Sequence, residues 1–206
     1  MSNWEASSAG WVVWLRWVLT CTVGWMVSEV VFRAITSAVE GSRSEAAGGL
    51  LALAALGAVI GTMQWFVLRQ QVYRSGRWVW VSTVGVAVGA VVSQWLDLLD
   101  IYIGPGMELD GLLSGAAFGV VVGRVQWLVL RQWVKGAYWW VWASVAGGTM
   151  SFFVADVVAT TVKVARPGFP VPMVIGTLYG AITGFALVWL LRDPVSAGSN
   201  RWRSAA

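Results

Sequence analysis

The 206-residue chain contains no histidine and a single cysteine, Cys21. Without histidine it lacks the commonest side chain for proton transfer and metal ligation near neutral pH, and the usual axial ligand for haem or chlorophyll. A lone thiol closes no intramolecular disulfide and makes no metal site by itself. Charge is scarce as well. Asp, Glu, Lys and Arg together make up 12% of residues, about half the share found in a soluble domain. No Walker loop, zinc-ligand spacing, His-based triad or nucleophile elbow occurs. These absences leave little material for acid–base catalysis, so neither an enzyme nor a bound cofactor or metal is expected.

What the chain has is apolar bulk: 58% of residues are hydrophobic and the mean hydropathy is +0.69. A spanning helix needs about 20 mostly apolar residues. Runs of that kind lie at 11–32, 47–68, 78–99, 111–130, 138–160 and 171–191. Strands are a poor reading, because the polar residues do not alternate with period two. The expected fold is an all-α integral membrane protein of six transmembrane helices. It forms one domain over 1–206, in which 192–206 is a short tail. Residues 1–10 carry no basic n-region, so the first run is expected to remain as a span.

The strongest pattern is an internal repeat. Residues 57–70 read GAVIGTMQWFVLRQ and residues 119–132 read GVVVGRVQWLVLRQ. A weaker third copy keeps Gly180, Gly184 and Arg192, but Leu187-Val188 replaces Gln-Trp. The alternate helices match too. RWVWVSTVG at 77–85 parallels YWWVWASVAG at 138–147, and Gly24 stands where these carry Gly85 and Gly147. Three tandem helical hairpins follow, over about 11–68, 78–130 and 138–191, with approximate three-fold pseudo-symmetry about the membrane normal.

The repeated G-x3-G-x2-QW-x-VLRQ segment, a basic turn and a Trp-rich helix resemble a group of small multi-pass bacterial membrane proteins. The resemblance covers nearly the whole chain. It implies the membrane class and the repeat, and brings no activity with it. The third copy departs from the pattern where Gln-Trp is missing.

Loop charge sets the expected orientation. Arg69, Arg74, Arg77, Arg131, Lys135, Arg192, Arg201 and Arg203 lie on one side; Arg33, Arg43, Lys163 and Arg166 lie on the other, among Glu40, Glu45, Asp100, Glu108 and Asp110. The positive-inside rule places both termini in the cytoplasm of a cell whose inner membrane holds the chain. Nucleic acid is not an expected partner, because the basic residues sit in short loops where they set topology. Most of the 16 Trp residues fall toward the cytoplasmic end, including Trp11, Trp14, Trp78, Trp80, Trp139, Trp140 and Trp142, whereas Trp25 and Trp95 lie in the outer half. Such a belt anchors a protein at the headgroup level; a shelf that docks a lipid, pigment or partner is the alternative.

Glycines recur every four residues at Gly111, Gly115, Gly119 and Gly123, and at Gly176, Gly180 and Gly184. Gly49, Gly57 and Gly61 keep the spacing with Leu53 interrupting. These glycine-zipper rows let backbones approach closely. They are expected to bring helices 2, 4 and 6 together inside, with the Trp-rich helices outside them; lining a pore is the functional alternative. Glu29, Asp97, Arg124 and Asp156 lie at or near membrane depth, joined by Arg16 if the first helix starts at Trp11. Such charges face a partner or water. Arg33, Gln94 and Asp156 fall at one depth, which predicts an Arg33–Asp156 ion pair with Gln94 close by. Arg124 lies about 10 Å deeper than Arg131; it either snorkels to the surface or binds an anionic headgroup or substrate. Gln64 and Gln126 read as interhelical hydrogen-bond glue, or as a polar ligand site. Asp97, Asp100, Glu108 and Asp110 flank a Gly104-Pro105-Gly106 turn and read as a solvated acidic loop, a cation site being the alternative.

Two functions fit. One is a non-enzymatic membrane scaffold or accessory subunit that binds lipid, pigment or partner helices, within a membrane-protein complex or a homo-oligomer. The other is a small transporter or channel with Glu29, Asp97, Arg124, Asp156 and the two glutamines on its pathway.

Overall fold

The computed structural model describes residues 3–71, 76–103, 110–161 and 170–192, with the side chains of 3–9, 99–103 and 110 set aside. The Gly104-Pro105-Gly106 turn, the side chains of Asp100, Glu108 and Asp110, and Arg74, Lys163, Arg166 and the tail beyond 192 therefore lie outside the described residues. Within them the chain is all helical: α1 (Asn3–Val39), α2 (Glu45–Leu68), α3 (Arg77–Ile103), α4 (Asp110–Leu130), α5 (Trp139–Thr161) and α6 (Pro170–Leu190). All six are long and apolar enough to cross a membrane. In hydrocarbon no water satisfies an open N–H or C=O, so a helix, which pairs them internally, is the form such segments take. Hydroxyls follow the same rule. Thr22, Thr62, Thr83 and Thr183 each donate to the carbonyl four residues back.

The ends obey local chemistry. Glu45 opens α2 with an acid in its first turn, and Pro170 opens α6, where its missing N–H costs nothing. α1 runs 37 residues, about 55 Å, against a hydrocarbon core of about 30 Å. It outruns the expected 11–32 at both ends because polar residues continue a helix wherever water solvates them. Past Val39 it ends at Gly41, whose φ of +72° only glycine adopts freely. Ser42 N–H then caps the Val39 carbonyl at 3.0 Å.

The helices close into a ring in chain order. α1 packs on α2, α2 on α3, and so on to α6, which returns to α1. This corrects the expected arrangement of an inner α2, α4 and α6. Among the described residues those three do not pack backbone against backbone, because each glycine row faces its neighbour in the ring; they meet through inward side chains such as Gln64 and Gln126. Gly57 and Gly61 lie against Ser82, Thr83 and Val79 of α3. Gly115, Gly119 and Gly123 lie against Gly148, Ser144 and Val141 of α5, and Gly176, Gly180 and Gly184 against Thr22, Cys21, Val18 and Trp17 of α1.

Every helix thus has one face inward and one outward, and the tryptophans divide accordingly. Trp11, Trp80, Trp95 and Trp142 are exposed, whereas Trp17, Trp78 and Trp140 are 0% exposed at the centre of the ring. Toward the other end, Trp25, Ile60, Val86, Phe118 and Val122 fill the interior.

Candidate functional site

The three central indoles come from α1, α3 and α5 and meet edge to face. Their centroids are 6.2 Å apart for Trp17–Trp78, 5.9 Å for Trp17–Trp140 and 5.7 Å for Trp78–Trp140. Edge-to-face contact sets the positive rim of one ring against the negative face of the next. Leu68, Leu130, Leu187 and Leu190 pack round them.

Burying an indole strands its N–H unless an acceptor is supplied. Each of the three finds one on a neighbouring helix. Trp78 Nε1 donates to Gln64 Oε1 and Trp140 Nε1 to Gln126 Oε1, both at 3.0 Å and both across 14 residues. Trp17 Nε1 donates to Thr183 Oγ1 at 3.0 Å. The glutamine amides donate onward. Gln64 Nε2 lies 3.5 Å from Cys21 Sγ; Gln126 Nε2 lies 3.0 Å from Ser82 Oγ and 3.4 Å from Gln64 Oε1. A polar girdle therefore surrounds an aromatic plug. Its hydrogen bonds orient and hold the three indoles.

The remaining site residues lie away from this girdle. Glu29 and Arg33 pair within α1, Arg33 Nε to Glu29 Oε1 at 2.6 Å. That gives Arg33 an acidic partner on its own helix; Asp156 and Gln94, expected beside it, are exposed on α5 and α3. Asp97 accepts a short hydrogen bond from the Ser114 hydroxyl, joining α3 to α4, and Ser93 Oγ donates to the Ser114 carbonyl at 2.9 Å. Arg124 is exposed, with its guanidinium carbon 5.3 Å from the Trp127 ring centroid. Among the described residues no three His, Cys, Asp or Glu side chains converge.

On the outer wall, Trp139, Trp142, Phe185 and Trp189 line a groove of about 470 Å³ between α5 and α6. A smaller one of about 150 Å³ between α6 and α1 runs from Trp11 and Trp14 to Arg192. Phe185 stands 74% exposed between the two.

Sequence reasoning assigned Gln64 and Gln126 a hydrogen-bonding role but gave them no named partner. The signal was present: in both copies a tryptophan follows the glutamine by 14 residues. The Thr183 acceptor carries no such mark, because it stands where the repeat offers Ile60 and Val122. No family model, curated protein or solved structure matches this chain.

Proposed function

We propose that the chain is a non-enzymatic scaffold or accessory subunit of the cell inner membrane, with both termini cytoplasmic. In this reading its packed interior holds the shape, and its outer wall binds lipid, pigment or partner helices. The observation that carries it is the plug. Three fully buried indoles occupy the centre of the ring, each N–H is tied to a different helix, and the polar girdle around them is spent on internal hydrogen bonds.

The tandem-hairpin reading belongs with this. Support comes from equivalent contacts made by matched residues. Trp17, Trp78 and Trp140 meet one another, and Gly24, Gly85 and Gly147 each face the second helix of their own hairpin. The resemblance to small multi-pass bacterial proteins with a QW-x-VLRQ repeat stands as part of the same proposal.

The transporter reading keeps one observation in its favour, the buried polar set of Gln64, Gln126, Ser82, Ser144 and Thr183. Thiol labelling separates the two. In a Cys21→Ser background, Ser82→Cys and Ser144→Cys place a thiol where the first hairpin naturally carries one. Both should resist a small water-soluble maleimide from either side and react after unfolding. Labelling of folded protein from both sides would favour transport and overturn the scaffold.

A further inference from the structure

The outward side of α4 carries two cations, Arg124 and Arg131, that form no ion pair among the described residues. Arg124 and Arg131 are both exposed, and their guanidinium carbons lie 5.3 and 5.0 Å from the centroid of one ring, Trp127. Arg124 shares its face with Leu113, Val120 and Leu128, all exposed, so this face looks outward and away from the seams. Like charges gathered on one ring repel, and among the described residues no acidic side chain pairs with either. The salt bridge among the described residues is Arg33–Glu29. The segments 69–77 and 131–138, at this end of the bundle, contain Arg69, Arg74, Arg77, Arg131 and Lys135 and no Asp or Glu. Arg124 starts about 10 Å deeper than Arg131, and its side chain reaches up to the same indole.

We infer that Arg124, Trp127 and Arg131 form a site for the headgroup of an anionic phospholipid such as phosphatidylglycerol. The inference rests on the membrane scaffold read above and names a lipid for it. At this depth the anions at hand are lipid phosphodiesters. A guanidinium fork matches two phosphate oxygens, and stacking on the indole fixes that fork before the lipid arrives. A zwitterionic headgroup brings its own cation and gains little from the second arginine; an anionic one gains from both. The matching place on α2 has Thr62 in place of Arg124. There Arg69 alone lies over Trp65 and Phe66, at 5.2 and 4.7 Å.

The test is native mass spectrometry of the full chain, released from detergent with equal dioleoyl-phosphatidylglycerol and dioleoyl-phosphatidylcholine. The wild-type protein should retain phosphatidylglycerol preferentially. Arg124→Gln and Arg131→Gln should each lower that preference about fivefold, while Arg43→Gln at the opposite end leaves it unchanged. Equal preference in all variants, or an equal drop with Arg43→Gln, overturns the site. Displacement by excess inorganic phosphate also overturns it, since the site would then take free anions. If Arg124→Gln fails to fold, Thr62→Arg decides. A second retained phosphatidylglycerol supports the inference, and an unchanged number overturns it. Loss of the lipid preference with a label-resistant core would sink this site alone; a labelled core would sink the scaffold reading and leave the lipid result to stand by itself.

Discussion

The indole N–H of Trp17 on α1 donates to Thr183 Oγ1 on α6 at 3.0 Å, closing the ring across 166 residues of sequence. The other two central tryptophans donate to glutamines, Gln64 and Gln126. On α6 the glutamine position, three residues after Gly184 as Gln126 is after Gly123, is Leu187. Thr183, one turn earlier, supplies the acceptor instead. The substitution leaves a residue of imperfection. Ser144, which matches the Ser82 that Gln126 engages, has no glutamine to meet here, and its buried hydroxyl faces that of Tyr179 on α6.

Thr183→Val keeps the volume and removes the acceptor, so Trp17 is left with a buried, unpaired N–H. Interhelical hydrogen bonds in membranes are worth about 0.6 kcal/mol on average, and stranding a donor adds to that. The expected loss is about 1–2 kcal/mol in a mixed-micelle unfolding titration. Adding Leu187→Gln should recover most of it, because the amide then reaches the Trp17 and Ser144 positions as Gln126 reaches Trp140 and Ser82. A double variant less stable than Thr183→Val would show that Thr183 is not standing in for the missing glutamine.

Gln126 carries three bonds, accepting from Trp140 and donating toward Ser82 and Gln64. Gln126→Leu should cost about 2 kcal/mol, since it orphans a donor and an acceptor at once. Trp140→Phe removes the donor as well as part of the ring. In a double-mutant cycle the two changes should be less than additive by about 1 kcal/mol. Strict additivity would mean that the Trp140–Gln126 contact contributes nothing.

The spans were legible because a bilayer imposes a length: four of the six apolar runs fall inside the six helices, and the runs 138–160 and 171–191 overrun α5 and α6 by one residue each, at Tyr138 and Leu191. Their ends were not: α1 outruns its apolar stretch, and past residue 32 Arg33, Thr36 and Ser37 bond within the helix and need no lipid. Glycine rows announced close approach without naming the partner. A row such as Gly115-Gly119-Gly123 is equally good against α3, α5 or another glycine row, and only the ring selects α5. Tryptophan misled for a related reason. Indole is at home both at the headgroups and in a core that answers its N–H, so Trp80 and Trp78, two residues apart, read alike while one is 75% exposed and the other 0%. The acceptor distinguishes them, and for Trp78 and Trp140 it could have been found in the glutamine 14 residues earlier.

The glycines are not equivalent. A Cβ at Gly119 would run into the Ser144 carbonyl and the Val145 Cα, both backbone atoms of α5 that cannot swing aside. A Cβ at Gly49 meets nothing within 4 Å. Overpacking a close seam costs about 1–3 kcal/mol, whereas alanine in an open helical position gains up to about 1 kcal/mol over glycine. Gly119→Ala should therefore lower stability in micelle unfolding, and Gly49→Ala should leave it unchanged or slightly raised. Gly115→Ala should behave like Gly119→Ala, because its Cβ meets the Gly148 carbonyl. If all three alanines proved equally neutral, α4 and α5 could not be packed backbone to backbone, and the ring would have to be wider at that seam.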